Sequence, residues 1–175
     1  MATLIWLTGL AGAGKTSIAT SLYELIKVQN KSTVMLDGDI LRDVLGNSKG
    51  YKREDRLHLA LTYAQIAKML LNQDINVICS TISLFNEIYE WNRINIINYI
   101  EVYVKVPKDI LVERDKKNLY SRAIRGEIND VVGIDIPFDE PVNAHIIIDN
   151  DSSKSIEEIS LQIYQYYCEV MNETR

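Results

Sequence analysis

The chain has 175 residues, of which 47% are hydrophobic and 25% are charged, and its formal net charge is −5. This length suits one domain with a buried core, and the composition is that of an ordinary globular protein. Because an acidic chain has no broad basic surface, we expect neither nucleic acid nor an anionic membrane as a partner.

The N-terminal segment, residues 1–10, is apolar, has no leading basic residues and continues directly into a glycine-rich loop. It therefore predicts a buried strand and not a signal peptide. No apolar run approaches the roughly 20 residues that are needed to cross a bilayer. The two cysteines form no motif, which favours a reducing compartment. We therefore expect a cytoplasmic protein.

Apolar runs alternate with stretches of helical periodicity along the chain. The predicted strands are Thr3–Thr8, Ser32–Leu36, Ile75–Ser80, Ile100–Val106 and Ala144–Asp149. The predicted helices are Lys15–Gln29, Arg53–Asn72, Glu87–Asn98 and Lys154–Asn172. Because continuous β-branched runs are typical of strands buried on both faces, the pattern predicts one α/β domain over residues 1–175, with a five-stranded parallel sheet flanked by helices. Residues 116–141 are polar and lack clear periodicity, which predicts a mobile lid.

A phosphate-binding loop follows the first predicted strand and precedes the first predicted helix. Its sequence matches the pattern G-x-x-x-x-G-K-[ST] at every required position and predicts a P-loop kinase fold that binds ATP. Lys15 is expected to reach the β- and γ-phosphates and to take part in catalysis, and the Thr16 hydroxyl to ligate Mg²⁺. The residues of this loop, all predicted to bind ATP, are Gly9, Leu10, Ala11, Gly12, Ala13, Gly14, Lys15 and Thr16.

Two carboxylates, Asp37 and Asp39, lie on either side of Gly38 directly after the second predicted strand. Since the carboxyl ends of parallel strands line the ligand crevice, both side chains should face the phosphate loop. One of them could accept the proton of an acceptor hydroxyl or hold a magnesium-bound water. An ordinary Asp-Gly turn that caps a helix is the competing interpretation.

These two motifs, together with shorter segments in the same order, resemble the adenylylsulphate (APS) kinase family over nearly the whole chain. Each short match is weak, but their shared order and spacing make the set specific. The segments that carry the resemblance are Trp6-Leu7-Thr8-Gly9-Leu10, Leu36-Asp37-Gly38-Asp39 with Arg42, Gly50-Tyr51, Asp55-Arg56, Arg114-Asp115, Leu119-Tyr120, and Gly133-Ile134-Asp135 with Pro137.

The resemblance implies an enzyme that uses MgATP to phosphorylate the ribose 3′-hydroxyl of a nucleotide, and a homodimer. Asp39 would be the catalytic carboxylate and a magnesium ligand, while Lys117 and Arg122 would close over the phosphates from the lid, with Arg122 on ATP. Ser83 corresponds to a serine that can be phosphorylated in the family. The acceptor-binding residues that the resemblance implies are Asp37, Asp39, Arg42, Tyr51, Arg56, Ile82, Ser83, Lys117 and Val131.

Three of these residues also have a plausible structural role. The guanidinium fork of Arg42 or Arg56 suits phosphate oxygens, and the ring of Tyr51 suits a nucleobase. The competing interpretations are that Arg42 lies on a solvated helix face, that Arg56 belongs to a surface ion pair, and that Tyr51 is a half-buried core residue.

The departures from the family pattern lie mainly at the acceptor site. Leu59, Leu61 and Thr62 replace an asparagine and two arginines, and Val131 replaces the second aromatic residue that sandwiches adenine. Further changes are Ile40 for an asparagine, Asn86 for an arginine and Ile124 for a lid arginine. Losing one aromatic wall removes roughly 1–3 kcal/mol of stacking. A changed acceptor is therefore predicted. The chain resembles a branch of this family that acts in bacterial capsule phosphoramidate synthesis, and that resemblance implies cytidine 5′-diphosphoramidate as the acceptor.

Three other functions compete with this one. Adenylylsulphate itself remains the rival acceptor. A small-metabolite kinase of similar size is a second possibility, against which Tyr51 and the lid segment argue. A nucleotide-dependent switch is a third, but the segment Asn30-Lys31-Ser32-Thr33 lacks the aspartate of the guanine-recognition motif Asn-Lys-x-Asp.

Overall fold

Five parallel strands form the centre of the structure, as the alternation of apolar runs predicts. The computed structural model describes residues 2–29, 32–45, 50–115 and 118–173. The strand order is β2-β3-β1-β4-β5, and each neighbouring pair runs parallel. This arrangement confirms the predicted fold class. The strands are β1 (Leu4–Thr8), β2 (Thr33–Asp37), β3 (Asn76–Thr81), β4 (Tyr99–Lys105) and β5 (Ile146–Asp149).

Helices connect the strands, and the ends of all nine predicted elements differ from the observed ones by at most three residues. Three of the helices were not predicted, because they have only six or seven residues and are too short to show a periodic apolar pattern. The helices are α1 (Lys15–Gln29), α2 (Gly38–Val44), α3 (Arg53–Leu71), α4 (Asn86–Asn95), α5 (Lys108–Arg114), α6 (Leu119–Ile124) and α7 (Ile156–Glu173).

The sheet separates two apolar cores because successive side chains of a strand point to opposite faces. In β1, Ile5 and Leu7 join α1 and α7 in the larger core, whereas Leu4 and Trp6 pack with α3 and α4 in the other. All four side chains are at most 1% exposed. The molecule therefore has three layers, with helices on both faces of a buried sheet. Among the described residues, no helix combines the length and the apolar character needed to cross a membrane.

The segment predicted as a lid contains more local structure than its polar sequence suggests. It includes α6, and Tyr120, Val131, Val132 and Ile136 are buried in the larger core. Gly133 N donates to Ile136 O at 2.9 Å and closes a tight turn. The mobility of this segment remains a prediction, and Lys117 lies outside the described residues.

The topology creates a crevice at the carboxyl ends of the strands. The chain leaves β1 toward α1 on one face of the sheet, and it leaves β3 toward α4 on the other face. Ligands of open α/β sheets bind where neighbouring strands diverge in this way. The polar residues that follow β1, β2, β3 and β5 are therefore brought to one edge.

Candidate active site

The phosphate loop has the backbone conformation that its glycines permit. Gly12 and Gly14 have φ values of +77° and +88°, which L-residues with a Cβ rarely adopt. The side chain of Lys15 is 8% exposed, and its Nζ donates to Leu10 O at 2.8 Å, within the loop itself. The amides of the first helical turn and the lysine ammonium thus converge on one small region, which is the arrangement that binds phosphate.

Asp37 connects this loop to the neighbouring strands. Its Oδ2 accepts hydrogen bonds from the Thr16 hydroxyl at 2.8 Å and from the Ser80 hydroxyl at 3.2 Å. Its Oδ1 accepts from the amides of Asp39 at 3.0 Å and Ile40 at 3.4 Å, so it also caps α2. The catalytic and helix-capping interpretations of the Asp-Gly-Asp motif are therefore compatible. The carboxylate is 9% exposed and lies against the hydroxyl that was predicted to ligate Mg²⁺.

Asp39 occupies a different environment from its neighbour. It lies in the first turn of α2, is exposed and lines the cleft that the phosphate loop opens into. Nearby, the Tyr63 hydroxyl donates to Gly38 O at 3.3 Å, and burial raises the pKa of Tyr63 to about 12. Tyr63 is therefore neutral near pH 7, and the exposed carboxylate of Asp39 lines the same cleft.

At the other end of the cleft, two arginines contact one aromatic ring. The Arg42 guanidinium lies 4.4 Å from the centre of the Tyr51 ring, and that of Arg56 lies 5.4 Å from it. Arg42 Nη1 also donates to Gly50 O at 3.3 Å. Tyr51 is 51% exposed, so it is not a core residue. Two cations beside an exposed aromatic ring can bind a planar anionic ligand such as a nucleotide.

Arg56 connects two chain segments that line this end of the cleft, one containing Tyr51 and the other Asp130. Its Nε donates to Tyr51 O at 2.7 Å, and its Nη2 donates to Asp130 O at 2.7 Å. Asp135 fixes the second segment, since its carboxylate accepts from the amides of Asp130 and Val131, each at 2.5 Å. Burial, together with the neighbouring Arg42 charge, lowers the pKa of Arg56. A partly desolvated cation of this kind gains from an anionic ligand.

One cleft of about 1090 Å³ joins the two ends, which is large enough for two nucleotide-sized ligands. Gly9, Leu10 and Ala13 lie beneath its surface and do not line it, whereas Lys117 lies outside the described residues. The predicted site residues that line the cleft are Ala11, Gly12, Gly14, Lys15, Thr16, Asp37, Asp39, Arg42, Tyr51, Arg56, Ile82, Ser83, Arg122 and Val131.

Ser83 is buried, and its hydroxyl forms a hydrogen bond with the Thr81 hydroxyl at 2.9 Å. Both residues line the cleft at the carboxyl end of β3, on either side of Ile82. Of the positions where the resembled family carries polar residues on α3, Leu59 lines the cleft, whereas Leu61 packs against the smaller core. The acceptor end is therefore partly apolar.

Sequence reasoning missed a second group of lining residues. Several of them come from the ends of β3 and β5, and the rule that parallel strands present their carboxyl ends to one crevice could have identified Ser80 and Asn150. Gly38, Arg114 and Leu119 belong to segments that carry the family resemblance, and Leu59 is one of the departures from it, but none of the four was predicted to bind a ligand. Nothing in the local sequence indicates the remaining residues. The missed lining residues are Ser17, Gly38, Asp43, Leu59, Tyr63, Ser80, Thr81, Arg114, Leu119, Ile128, Asn129, Asp130, Asn150, Ser152, Lys154, Ser155 and Ile156.

Comparison with known proteins places this geometry in context. Residues 1–149 match the family described as adenylylsulphate kinase. The cytidine diphosphoramidate kinase of Campylobacter jejuni is 47% identical over 155 residues, which cover 89% of this chain and 90% of that protein. The adenylyl-sulfate kinase of Pseudomonas aeruginosa is 42% identical over 148 residues, which cover 83% of this chain and 76% of that protein.

A solved structure with bound nucleotides shares the fold. The Mycobacterium tuberculosis APS kinase CysC, in complex with AMPPNP and APS, superposes with a TM-score of 0.86. The sequences are 28% identical, and the match covers 94% of this chain and 96% of that one. That structure holds two ligands, AMPPNP and APS, and the cleft described above has the volume for two ligands of nucleotide size.

Proposed function

This chain belongs to the adenylylsulphate kinase family, and from that premise we propose that it transfers the γ-phosphoryl group of MgATP to the ribose 3′-hydroxyl of a cytidine nucleotide, cytidine 5′-diphosphoramidate. The single cleft that joins the phosphate loop, the two aspartates and the Arg42–Tyr51–Arg56 group supports a two-substrate phosphotransferase. The 47% identity to the Campylobacter jejuni kinase supports the choice of acceptor.

The residues of the donor end suit a magnesium ion that accompanies ATP. The Thr16 hydroxyl and the carboxylates of Asp37 and Asp39 are the hard oxygen donors that Mg²⁺ prefers. Among the described residues no three acidic, histidine or cysteine side chains cluster as a metal site, but Mg²⁺ needs only one or two protein ligands beside the phosphates. When bound by Thr16 and Asp39, this ion would neutralise charge on the phosphates.

In the proposed reaction, the acceptor 3′-hydroxyl oxygen bonds to the γ-phosphorus while the bond to the β–γ bridging oxygen breaks. Asp39 takes the hydroxyl proton, and ADP leaves with the electron pair. Lys15 and the amides of the phosphate loop stabilise the charge that develops on the β- and γ-phosphates. Positioning and electrostatics supply nearly all of the catalysis in such transfers.

The acceptor end favours a small base over adenine. Tyr51 offers one stacking face, whereas Val131, which is 3% exposed, offers only an aliphatic surface where the family pattern has a second aromatic ring. Loss of one stacking surface weakens the binding of a purine more than that of a pyrimidine, because the purine has the larger ring system to cover. Arg42 and Arg56 supply the positive charge for the diphosphate part of the acceptor.

The test is a steady-state assay of purified protein with MgATP and either cytidine 5′-diphosphoramidate or adenylylsulphate. Phosphorus NMR of the product would identify a new 3′-phosphomonoester. We expect turnover with the cytidine compound at least tenfold more efficient than with adenylylsulphate. Phosphorylation of adenylylsulphate alone would contradict the proposed acceptor, and activity on a simple alcohol alone would contradict the nucleotide kinase function.

We further propose that the enzyme is a homodimer and acts in the cytoplasm, where ATP and a reducing environment are available. Both cysteines are free, which is compatible with such a compartment. Light scattering coupled to size-exclusion chromatography would measure a mass near 40 kDa for a dimer of this 20.0 kDa chain, against one near 20.0 kDa for a monomer.

A further inference from the structure

Three successive carbonyl groups of the phosphate loop are bound by side chains from other parts of the chain. The Tyr120 hydroxyl, from α6, donates to Ala11 O at 2.8 Å. Asn150 Nδ2, at the end of β5, donates to Ala13 O at 2.9 Å. Between them, Arg114 Nη1, from α5, lies 3.5 Å from Gly12 O.

These contacts determine where the amides of the loop point. In a planar trans peptide, the carbonyl of one residue and the amide of the next point in opposite directions. When Tyr120 holds the Ala11 carbonyl, it therefore also orients the Gly12 amide, and Asn150 orients the Gly14 amide in the same way. Gly12 and Gly14 both line the cleft, and because glycine has no Cβ, their backbones are freer to rotate than those of other residues.

We propose that Tyr120 and Asn150 are positioning residues that aim the Gly12 and Gly14 amides at the phosphates of the bound triphosphate. The inference rests on the proposed function only in requiring that a triphosphate binds at this loop. It does not depend on the identity of the acceptor. It also gives α6 a role at the donor end, because the helix carries the residue that fixes the loop.

Both side chains are held firmly enough for this role. Tyr120 is 3% exposed, and its amide donates to Asp115 Oδ1 at 2.8 Å. Asn150 is 5% exposed. Its backbone amide donates to Lys105 O at 2.8 Å, and its backbone carbonyl accepts from Arg114 Nη2 at 3.2 Å. Hydrogen bonds in such buried places are effective because no water competes for the carbonyl.

The experiment compares Tyr120→Phe and Asn150→Asp with a matched control, Tyr89→Phe. Tyr89 is 1% exposed, and its hydroxyl donates to a backbone carbonyl, that of Asp139, at 3.0 Å. The control therefore removes the same type of bond at a carbonyl outside the phosphate loop, although the Tyr89 hydroxyl also faces Thr8, the residue before that loop. The measurements are the melting temperature, the Kd of Mg-AMPPNP by titration calorimetry, and the Kd of adenosine, which carries no phosphate, by displacement.

We expect Tyr120→Phe to raise the Kd of Mg-AMPPNP about five- to tenfold, which corresponds to the loss of one hydrogen bond. The Kd of adenosine should stay within about twofold of the wild-type value. Asn150→Asp should weaken Mg-AMPPNP binding more than Tyr120→Phe does, because a carboxylate cannot donate a hydrogen bond to the Ala13 carbonyl and instead repels it. Tyr89→Phe should lower the melting temperature and leave both dissociation constants unchanged.

Two results would overturn the inference. One is an AMPPNP affinity of Tyr120→Phe and Asn150→Asp equal to that of the wild type. The other is an equal loss of affinity for adenosine and for AMPPNP, since that would indicate general damage to the cleft. Failure of the wild type to phosphorylate any cytidine nucleotide would instead count against the proposed acceptor and would leave this comparison intact.

Discussion

At the scale of single residues, the carboxylate of Asp37 connects three parts of the candidate site. It binds the Thr16 hydroxyl of the phosphate loop, the Ser80 hydroxyl of β3 and the first amides of α2. Several donors of this kind compensate a buried carboxylate for the water that it loses on folding. The family resemblance implied that Asp37 binds the acceptor, which remains a prediction, and its hydrogen bond to Thr16 also places it beside the phosphate loop.

The exposed ring of Tyr51 leads to a prediction about acceptor binding. Tyr51→Ala should raise the KM for the acceptor nucleotide by about ten- to a hundredfold, because stacking of one base contributes roughly 1–3 kcal/mol. The KM for ATP should not change, since the ring lies at the other end of the cleft beside Arg42 and Arg56. Steady-state kinetics with each substrate varied in turn would measure both constants.

Tyr51→Phe is the matched control for that variant. It keeps the aromatic face and removes only the hydroxyl, so the KM for the acceptor should stay within about threefold of the wild-type value if stacking is the main contribution. An alanine variant with an unchanged acceptor KM would mean that the exposed ring is not the platform for the base.

At the scale of elements, a buried ion pair joins α4 to β4. Arg93 Nη2 lies 2.7 Å from Glu101 Oε1, and the side chains are 33% and 0% exposed, respectively. Glu101 N also donates to His145 Nδ1 at 2.9 Å, which ties β4 to the residue before β5. Burial raises the pKa of Glu101, and the charge of Arg93 opposes that rise. The helix therefore supplies the cation that lets β4 carry a charged residue in the interior.

Arg93→Met should destabilise the protein in a pH-dependent way. A carboxyl group with a raised folded-state pKa stabilises the fold fully below its ordinary pKa of 4.5, and the contribution is lost as the pH rises through the folded-state value. Without Arg93 that loss grows. We expect a decrease in the free energy of unfolding of about 2–3 kcal/mol at pH 7, less than for a fully buried arginine, and a clearly smaller decrease at pH 4. Urea titrations at both pH values would measure it.

A surface pair provides the control for this variant. Arg53 Nη2 lies 2.8 Å from Glu87 Oε1, but these side chains are 40% and 48% exposed. Arg53→Met should therefore cost less than about 1 kcal/mol at either pH. Equal effects of the two substitutions at pH 7 would show that burial of Glu101 does not set the energy of its pair.

At the scale of the whole molecule, the reactivity of one buried thiol can report the unfolding of the domain. Cys79 is 0% exposed in the centre of the sheet, and burial raises the pKa of its thiol, so it is protonated and inaccessible in the native state. Cys168, on α7, is only partly buried. A thiol reagent should therefore modify Cys168 readily and Cys79 only when the domain opens.

Ligand binding should slow the modification of Cys79 through mass action. In a Cys168→Ser variant, Mg-AMPPNP at about 100 times its Kd should stabilise the native state by about 2.7 kcal/mol and reduce the Cys79 reaction rate about a hundredfold. The denatured variant provides the rate of the unprotected thiol. Protection that does not respond to the ligand would mean that Cys79 is reached by a local opening that leaves the nucleotide site intact.

The sequence by itself was sufficient for the layered fold and for the phosphate loop. Buried parallel strands read as continuous apolar runs, long helices show their period, and the loop Gly9–Thr16 needs residues that are adjacent in the chain. The acceptor residues Arg42, Tyr51 and Arg56 came from the family resemblance, and the structure brings them together in one cleft. Their roles as ligands of the acceptor remain predictions.

Only the tertiary structure decided which distant side chains support the loop and the pocket walls. The contacts of Tyr120 and Asn150 with the loop span 109 and 137 residues of sequence, and the contact of Arg56 with Asp130 spans 74. No local pattern encodes such pairs, because each depends on where the sheet places the ends of separate segments. A short-range motif can therefore be read from neighbouring residues, whereas the shape and support of the cleft follow from the folded chain alone.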